Sequence, residues 1–406
     1  MTLRGDNMAS VKRGNRSIVL SLLQREGEMS RKRLAEQMKL TPAAITLITG
    51  EMINEGLLYE GDTQKVEGNS GRREIPLRIA SDAFIALGVS INIAEAIISA
   101  TTLDGSLVFS ESVPFDVDDP AAQTVAMLAM RLKALIELHQ LNASRIVGLG
   151  VGVRGVVDVE KACSVHSFGA FRERNIPLKA CFEEETGLFT TMDNNVRSMF
   201  RAHTFFTGEP MSSQLFIRCE RGIGGAVAAG SRLILGDHGR CAELGHAPVV
   251  EQGGKPCACG KRGCLETVVA PAAIREDVSA IYSAEHTPLL YKQTGGHIEK
   301  VTLAYIFQAA EAGDLEVDAI VQNACTKFAA VLKTITYTLD PNEVLLYGKI
   351  FEYDYFLHSL HRHFARGTEL DSAQFVKKSS LNLTLEDKAA CVIAIETFFA
   401  NGGLIH

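Results

Sequence analysis

The sequence predicts a small helical head with a β wing, followed by a larger α/β body in two lobes. Three observations predict this. Residues 1–80 hold three short amphipathic helices and two short extended runs. From Phe84 onward, strands and helices alternate. The charge changes sign between the two parts, with 13 Lys+Arg against 10 Asp+Glu in residues 1–80 and 28 against 38 in the rest. A chain of 406 residues, 46% of them apolar, is long for one core and can fill several. A mildly basic head on an acidic body points the head, and not the body, at a polyanion.

Other classes are disfavoured. No apolar run approaches the roughly 20 residues that a membrane helix needs. The opening stretch MTLRGDNMASVKRGNR has no apolar segment after its charges, so it does not read as a secretory signal. Nine cysteines, three of them within 257–264, do not form a disulfide framework. They read as a metal site plus buried thiols in a reducing compartment. A cytoplasmic protein without membrane insertion is the expectation.

In the head, Asn15–Arg25 carries Ile18, Val19, Leu22 and Leu23 on one helical face. Ser30 can cap a second helix, Arg31–Met38. Thr41 can cap a third, with Pro42 at its first position and Gly56 beyond its end. Leu57–Glu60 and Ile75–Ile79 are extended, and the polar loop between them carries Arg72 and Arg73. Three helices and a basic-tipped hairpin make a winged helix-turn-helix; a small protein-docking module is the alternative. The third helix should enter a major groove, with Thr41, Ala43, Ala44 and Thr46 near base edges, suited to thymine methyls and to few hydrogen bonds. Lys12, Arg13, Arg16, Arg31, Lys32 and Arg33 are phosphate contacts or solvated charge. Arg72 and Arg73 would reach a narrow minor groove.

In the body, residues 84–91, 94–103 and 106–115 read as strands, followed by a helix over Ala121–His139. A buried strand (RIVGLGVGV), a helix closed by Gly187, a strand (LFTTM) and a helix over Asn194–Phe205 complete a β-β-β-α-β-α-β-α series. That is half of an actin-like/RNase H-like domain. A second half starts near Gln214, and a helix over Lys388–Ala400 closes the chain. The expected divisions are residues 1–80 for the head, 84–200 and 201–385 for the lobes, and 386–406 for a helix returning to the first lobe.

His246, Cys257, Cys259 and Cys264 supply one imidazole and three thiolates, the number and type that close a tetrahedral zinc site. Gly260 and Gly263 allow the tight turns such a knuckle needs. Three unrelated buried cysteines are the bland alternative. All four positions are filled, so the ion, one per chain, would be structural.

Several stretches together resemble the ROK family of repressors and sugar kinases: Ser30-Arg31 with Leu34-Ala35, Pro42 to Thr46, and Gly71-Arg72 in the head; Gly152 to Asp158, Asp193-Asn-Asn195, Gly222 to Gly225, Glu243-Leu-Gly-His246 and the cysteine cluster with Glu266 in the body. The resemblance covers nearly the whole chain. It implies a winged helix-turn-helix ahead of a two-lobed ROK domain, like the glucose- and N-acetylglucosamine-responsive repressors. It implies that Asp193 stands at the kinase base position and that Glu243, His246 and Glu266 match sugar-binding residues, with Asn195 beside them. Met192 replaces the family's usual Asn. The ATP half departs from the kinase pattern: Gly88 to Glu95 lacks the Asp and Thr of the first phosphate loop, Arg221 precedes Gly222, and Lys349 follows Gly348. Arg154, Leu47 and Gly50 are further departures, and Gly50 costs its helix roughly 1 kcal/mol relative to Ala.

The expectation is a non-enzymatic DNA-binding regulator, a homodimer or homotetramer, controlling carbohydrate genes through a sugar or sugar-phosphate effector. The alternatives are an active sugar kinase with a DNA-binding head, and a repressor sequestered by a protein partner.

Overall fold

The computed structural model describes residues 8–62, 74–381 and 385–405. Gly71, Arg72 and Arg73 lie outside the described residues. The chain divides into two compact units, Met1–Gly208 with Glu386–His406, and Glu209–Leu385.

The first unit opens with helix α1 (Met8–Glu26), the short strand β1 (Met29–Ser30), α2 (Arg31–Met38) and α3 (Pro42–Asn54). Ser30 caps α2 by accepting from the Arg33 amide at 3.3 Å, and Thr41 caps α3 by accepting from the Ala44 amide at 3.2 Å. Each satisfies a donor that the first turn of a helix leaves unpaired. α3 ends at Glu55, followed by Gly56 at φ 73°. Strands β2 (Leu58–Glu60) and β3 (Pro76–Ile79) join β1 in an antiparallel sheet ordered β1-β3-β2.

The body of this unit is a five-stranded sheet. β4 (Ile85–Ile91), β5 (Glu95–Thr102) and β6 (Leu107–Pro114) form an antiparallel meander. After α4 (Ala121–Leu138), β7 (Ile146–Val153) pairs parallel to β4. A two-stranded ribbon, β8 (Val156–Asp158) with β9 (Cys163–His166), leads to α5 (Leu178–Thr186). Then β10 (Thr190–Asn194) pairs parallel to β7, and α6 (Asn195–Thr207) follows it. Because α6 runs to Thr207, the unit extends to Gly208 and not to residue 200.

The closing helix, Leu385–Ala400, belongs to this unit. Its backbone lies directly on the sheet at two glycines. A Cβ on Gly150 would meet the Ala390 carbonyl oxygen at 1.9 Å, and one on Gly88 would meet the Cys391 amide nitrogen at 2.7 Å. Any side chain at either position would push the helix off β4 and β7.

Its far end joins the head. Ala394, Ile395, Phe398 and Phe399 share one apolar core with Val19, Leu20 and Leu23 of α1, Ile45 and Met52 of α3, and Phe84 and Val147 of the body. Arg145 strengthens the junction, with its guanidinium 4.9 Å from the Phe84 ring centre and a hydrogen bond of 3.3 Å to the Glu55 carbonyl.

The second unit repeats the plan. β11 (Gln214–Cys219), β12 (Ile223–Ala229) and β13 (Arg232–Leu233) are antiparallel. The helices are α7 (Glu266–Val269), α8 (Pro271–Ile281), α9 (Pro288–Thr294), α10 (Leu303–Glu311) and the long α11 (Leu315–Leu339). β14 (Glu343–Tyr347) pairs parallel to β11. α12 (Asp354–Ala365), α13 (Ser372–Phe375) and β15 (Val376–Lys378) follow, with β15 parallel to β14. The two five-stranded sheets are ordered β6-β5-β4-β7-β10 and β13-β12-β11-β14-β15 when each is read from one edge. In each, the chain-order pattern is third, second, first, fourth, fifth. Each unit thus carries the same sheet topology, and Phe328, Leu332, Phe351 and Phe356 centre the core of the second.

Candidate metal centre and ligand-binding residues

His246, Cys257, Cys259 and Cys264 come together in the second unit, with one ligand atom from each lying within 4.8 Å of every other. Local backbone builds this cluster. His246 ends a single 3-10 turn, Leu244–His246. Pro248 bridges to Cys264 and Pro256 to Arg262, folding the cysteine segment back on itself. Gly260 and Gly263, at φ 87° and 71°, make the turns, and a Cβ on Gly263 would strike the Val250 carbonyl oxygen at 2.0 Å.

The spacing tests what the cluster fits. Ligands at about 2.3 Å for sulfur and 2.0 Å for nitrogen, placed tetrahedrally, stand about 3.8 Å (S···S) and about 3.5 Å (S···N) apart. Here Cys259 Sγ and Cys264 Sγ are 3.7 Å apart, and Cys257 Sγ and His246 Nδ1 are 3.4 Å apart. No cysteine of the chain is in a disulfide. The four side chains therefore fit a tetrahedral cation. Burial pushes the Cys257 and Cys264 thiols up.

Two carboxylates adjoin the cluster. Glu266 Oε1 stands 2.9 Å from Cys257 Sγ and 3.5 Å from His246 Nδ1, and Glu243 Oε2 stands 3.9 Å from His246 Nε2. The imidazole thus faces the sulfurs with one nitrogen and Glu243 with the other. An open cleft of about 420 Å³ beside the cluster is lined by Arg221, Lys255, Cys257, Glu266, Thr267 and Glu276, among others. Glu243 lies outside it.

Asp193 and Asn195 belong to the first unit. Asp193 sits at the end of β10, opposite Gly152 of β7, with only 2% of its surface exposed. Its Oδ1 accepts from Arg197 Nε at 2.6 Å and from the Asn194 amide at 2.7 Å, and its Oδ2 accepts from Arg201 Nε at 3.3 Å. Arg201 in turn donates to Glu396 of the closing helix at 2.9 Å. Burial pushes the Glu396 carboxyl up while Arg201 pulls it down. Reasoning from sequence missed Arg197, Arg201 and Glu396. The i, i+4, i+8 spacing of Asp193, Arg197 and Arg201, and a lone acid inside the apolar run of the closing helix, were the available signals. Asn195 Nδ2 donates to Asn92 Oδ1 at 3.2 Å, tying α6 to the turn after β4. In that turn the Glu95 carboxylate accepts from the Ser112 hydroxyl.

In the second unit, Glu220 Oε1 accepts from the Lys349 amide at 2.6 Å, so a carboxylate occupies a backbone donor of the turn after β14.

In the head, Thr41, Ala43 and Thr46 are exposed and Ala44 is half-buried. Arg31 is engaged within the head, donating to Thr49 Oγ1 at 3.1 Å and to Glu60 at 2.7 Å. Arg16 is not a surface charge, as the sequence reading allowed. It is 2% exposed and donates to the Gly402 carbonyl at 2.7 Å and to both carboxylate oxygens of Glu55. Burial of α1 against the chain terminus turns it inward.

The profile of the ROK family matches residues 87–388. The chain belongs to the ROK family. Among its ROK relatives, the DNA-binding transcriptional dual regulator NagC of Escherichia coli (strain K12) is 27% identical over 350 residues, covering 86% of this chain and 83% of NagC. A glucokinase of Halalkalibacterium halodurans is 26% identical, covering 68% of this chain and 84% of the kinase. A crystal structure of a ROK family transcriptional regulator, a homologue of the E. coli Mlc protein, shares the fold with a TM-score of 0.78 at 23% identity. That match covers 97% of this chain and 98% of the other. The ROK profile begins beyond the head, and no helix among the described residues is long and apolar enough to cross a membrane.

Proposed function

We propose that this chain is a DNA-binding transcriptional repressor of carbohydrate genes, released from its operator by a sugar or sugar-phosphate effector. The head carries the reading. It is a three-helix module on a small antiparallel sheet, placed ahead of the ROK domain, with α3 capped by Thr41 and its outer face exposed. We read this module as a winged helix-turn-helix, and the likeness to NagC extends over more of the chain than the likeness to the glucokinase. α3 takes the groove-reading role, with Thr41, Ala43, Ala44 and Thr46 at the base edges. Arg72 and Arg73 take the minor-groove role, and Arg31 braces the helix against β2.

Asp193, Asn195, Glu243, His246 and Glu266 are the effector-binding residues in this reading. Carboxylates, a carboxamide and an imidazole suit adjacent hydroxyls because they offer both acceptors and donors. The tetrahedral His246-Cys257-Cys259-Cys264 set holds one structural zinc per chain, which fixes His246 and the knuckle around Glu266. A DNA-bound homodimer or homotetramer would present two heads to a near-palindromic site.

A kinase is the lesser reading. A general base needs a free lone pair facing the hydroxyl it deprotonates. Asp193 accepts from two guanidiniums, Arg197 and Arg201, and a hydroxyl must compete with both for its oxygens. An anion also stands at the Lys349 amide, where a phosphate would need a donor.

The same contacts give the effector a route to the head. Asp193, Arg201 and Glu396 form one charged chain, and Glu396 sits on the helix whose Ile395, Phe398 and Phe399 complete the core of the head. A ligand that re-pairs Asp193 changes what holds that helix, and an effector preferring the re-paired state shifts the population away from DNA.

The deciding experiment measures the affinity of the full chain for a selected duplex, with and without a panel of sugars and sugar phosphates, beside a coupled assay for ATP turnover. Salt-sensitive DNA binding that one sugar class weakens, with no turnover, is expected. ATP-dependent phosphorylation of a sugar, or no binding to any duplex, would overturn the reading.

A further inference from the structure

We infer that α3 reads its operator through thymine methyl groups, with Leu47 as the main contact. The inference rests on the DNA-binding reading above and adds a specificity-determining residue to it.

The outer face of α3 offers a base edge few polar groups. In the major groove, guanine is read chiefly by paired bonds from Arg or Lys, adenine by paired bonds with Asn or Gln, and cytosine by an Asp or Glu that accepts from its amino group. Residues 42–50 contain none of these. Three threonines carry the only side-chain polar atoms from Thr41 to Gly50, and the fold engages each. Thr41 Oγ1 serves as the cap, Thr46 Oγ1 donates to the Pro42 carbonyl at 2.8 Å, and buried Thr49 Oγ1 donates to the Ile45 carbonyl at 2.8 Å. With its hydroxyl proton committed to the backbone, exposed Thr46 offers the groove its methyl group and an acceptor oxygen but no donor.

What remains outward is apolar. Leu47 is 67% exposed although it follows Ile45 and precedes Ile48, both buried in the core of the head. Ala43 and Leu47 are one turn apart and share a face with Thr46 and Gly50. At Gly50 a Cβ would find nothing within 4 Å, so the backbone there is open to close approach. The base feature that such a face complements is the C5-methyl of thymine, the sole apolar group on the major-groove edge. Charge favours DNA over a protein as the occupant. Exposed Lys32, Arg33 and Lys39 belong to α2 and its C-cap, immediately before α3, and the head is net basic.

The test uses the full chain. A duplex site is first selected from a random pool, and each thymine in a half-site is then replaced by deoxyuridine, which removes one methyl and no hydrogen-bonding group. Each methyl that α3 covers should be worth about fourfold in affinity. Leu47→Ala should weaken the unsubstituted site about tenfold and abolish the deoxyuridine effect at its own position, while leaving the melting temperature within about a degree, because the side chain is mostly exposed. Equal binding of thymine and deoxyuridine sites at every position, or an unchanged thymine preference in Leu47→Ala, would overturn the inference while leaving DNA binding intact. Failure to enrich any duplex would refute the DNA-binding reading itself, and this inference with it.

Discussion

Replacing Arg16 with Met tests how the head is held. The guanidinium is 2% exposed and joins three parts of the chain: α1, the C-cap of α3 at Glu55, and the terminal Gly402 carbonyl. Methionine keeps much of the aliphatic stem and removes every donor, so packing loss is small and the polar loss dominates. A buried hydrogen bond from a charged group contributes about 1.5–3 kcal/mol. The bond to buried Gly402 falls in that range, whereas the bonds to Glu55 must be discounted, because that side chain is 42% exposed and water screens it. A total cost of about 2–3 kcal/mol follows, and for a unit of this size that lowers the melting temperature by about 5–10 °C. The loss also has a pH signature. The Arg16 hydrogen bond holds the Glu55 carboxyl below its usual 4.5. A depressed carboxyl stabilises the fold above its unfolded value, and the contribution disappears as pH falls through the folded value. Arg16→Met should therefore lose most stability at neutral pH and show a flatter decline below about pH 4.5. Scanning calorimetry across pH 3–7 reads both effects. A melting shift under about 1 °C at pH 7, or an acid limb as steep as in the parent, would refute the reasoning.

Two further outcomes follow from local geometry. Gly50→Ala should stabilise the head by about 0.5–1 kcal/mol, because α3 has space for a methyl and alanine loses less backbone freedom on folding; urea unfolding checks this, and a destabilised variant would contradict the open space. Purified protein should carry about one equivalent of zinc per chain, and Cys264→Ser should lower both that content and the melting temperature of the second unit; less than about half an equivalent in the parent, with no gain on adding zinc, would remove the site.

What could be read from the sequence was mostly local. Ser30, Thr41 and Pro42 mark helix starts because a cap acts within three residues, and the structure places the caps there. The four metal-ligand candidates were legible because three fall within eight residues and the glycines between them fix the turns. The strand order of the first sheet was not derivable from periodicity, since β4 must be recognised as central from its fully buried pattern and the parallel return of β7. The runs GLGVGV and ALGVSI gave the hint, because glycine in a buried strand marks close backbone approach. Which backbone approaches them is settled only by the closing helix, some 240 residues beyond Gly150.

Arg16 was misread for the same reason. It looks like a phosphate contact or a solvated charge in a basic head. Its partners lie far along the chain, at Glu55 and Gly402. Sequence fixes an ion's type but not whether its field is already spent. A charge spent inside the fold loses its service to an external ligand unless that ligand offers a better partner. On the proposed reading, a hydroxyl-rich effector meeting Asp193 competes with two guanidiniums, and its success leaves Arg201 to Glu396 alone, on the helix that completes the core of the head.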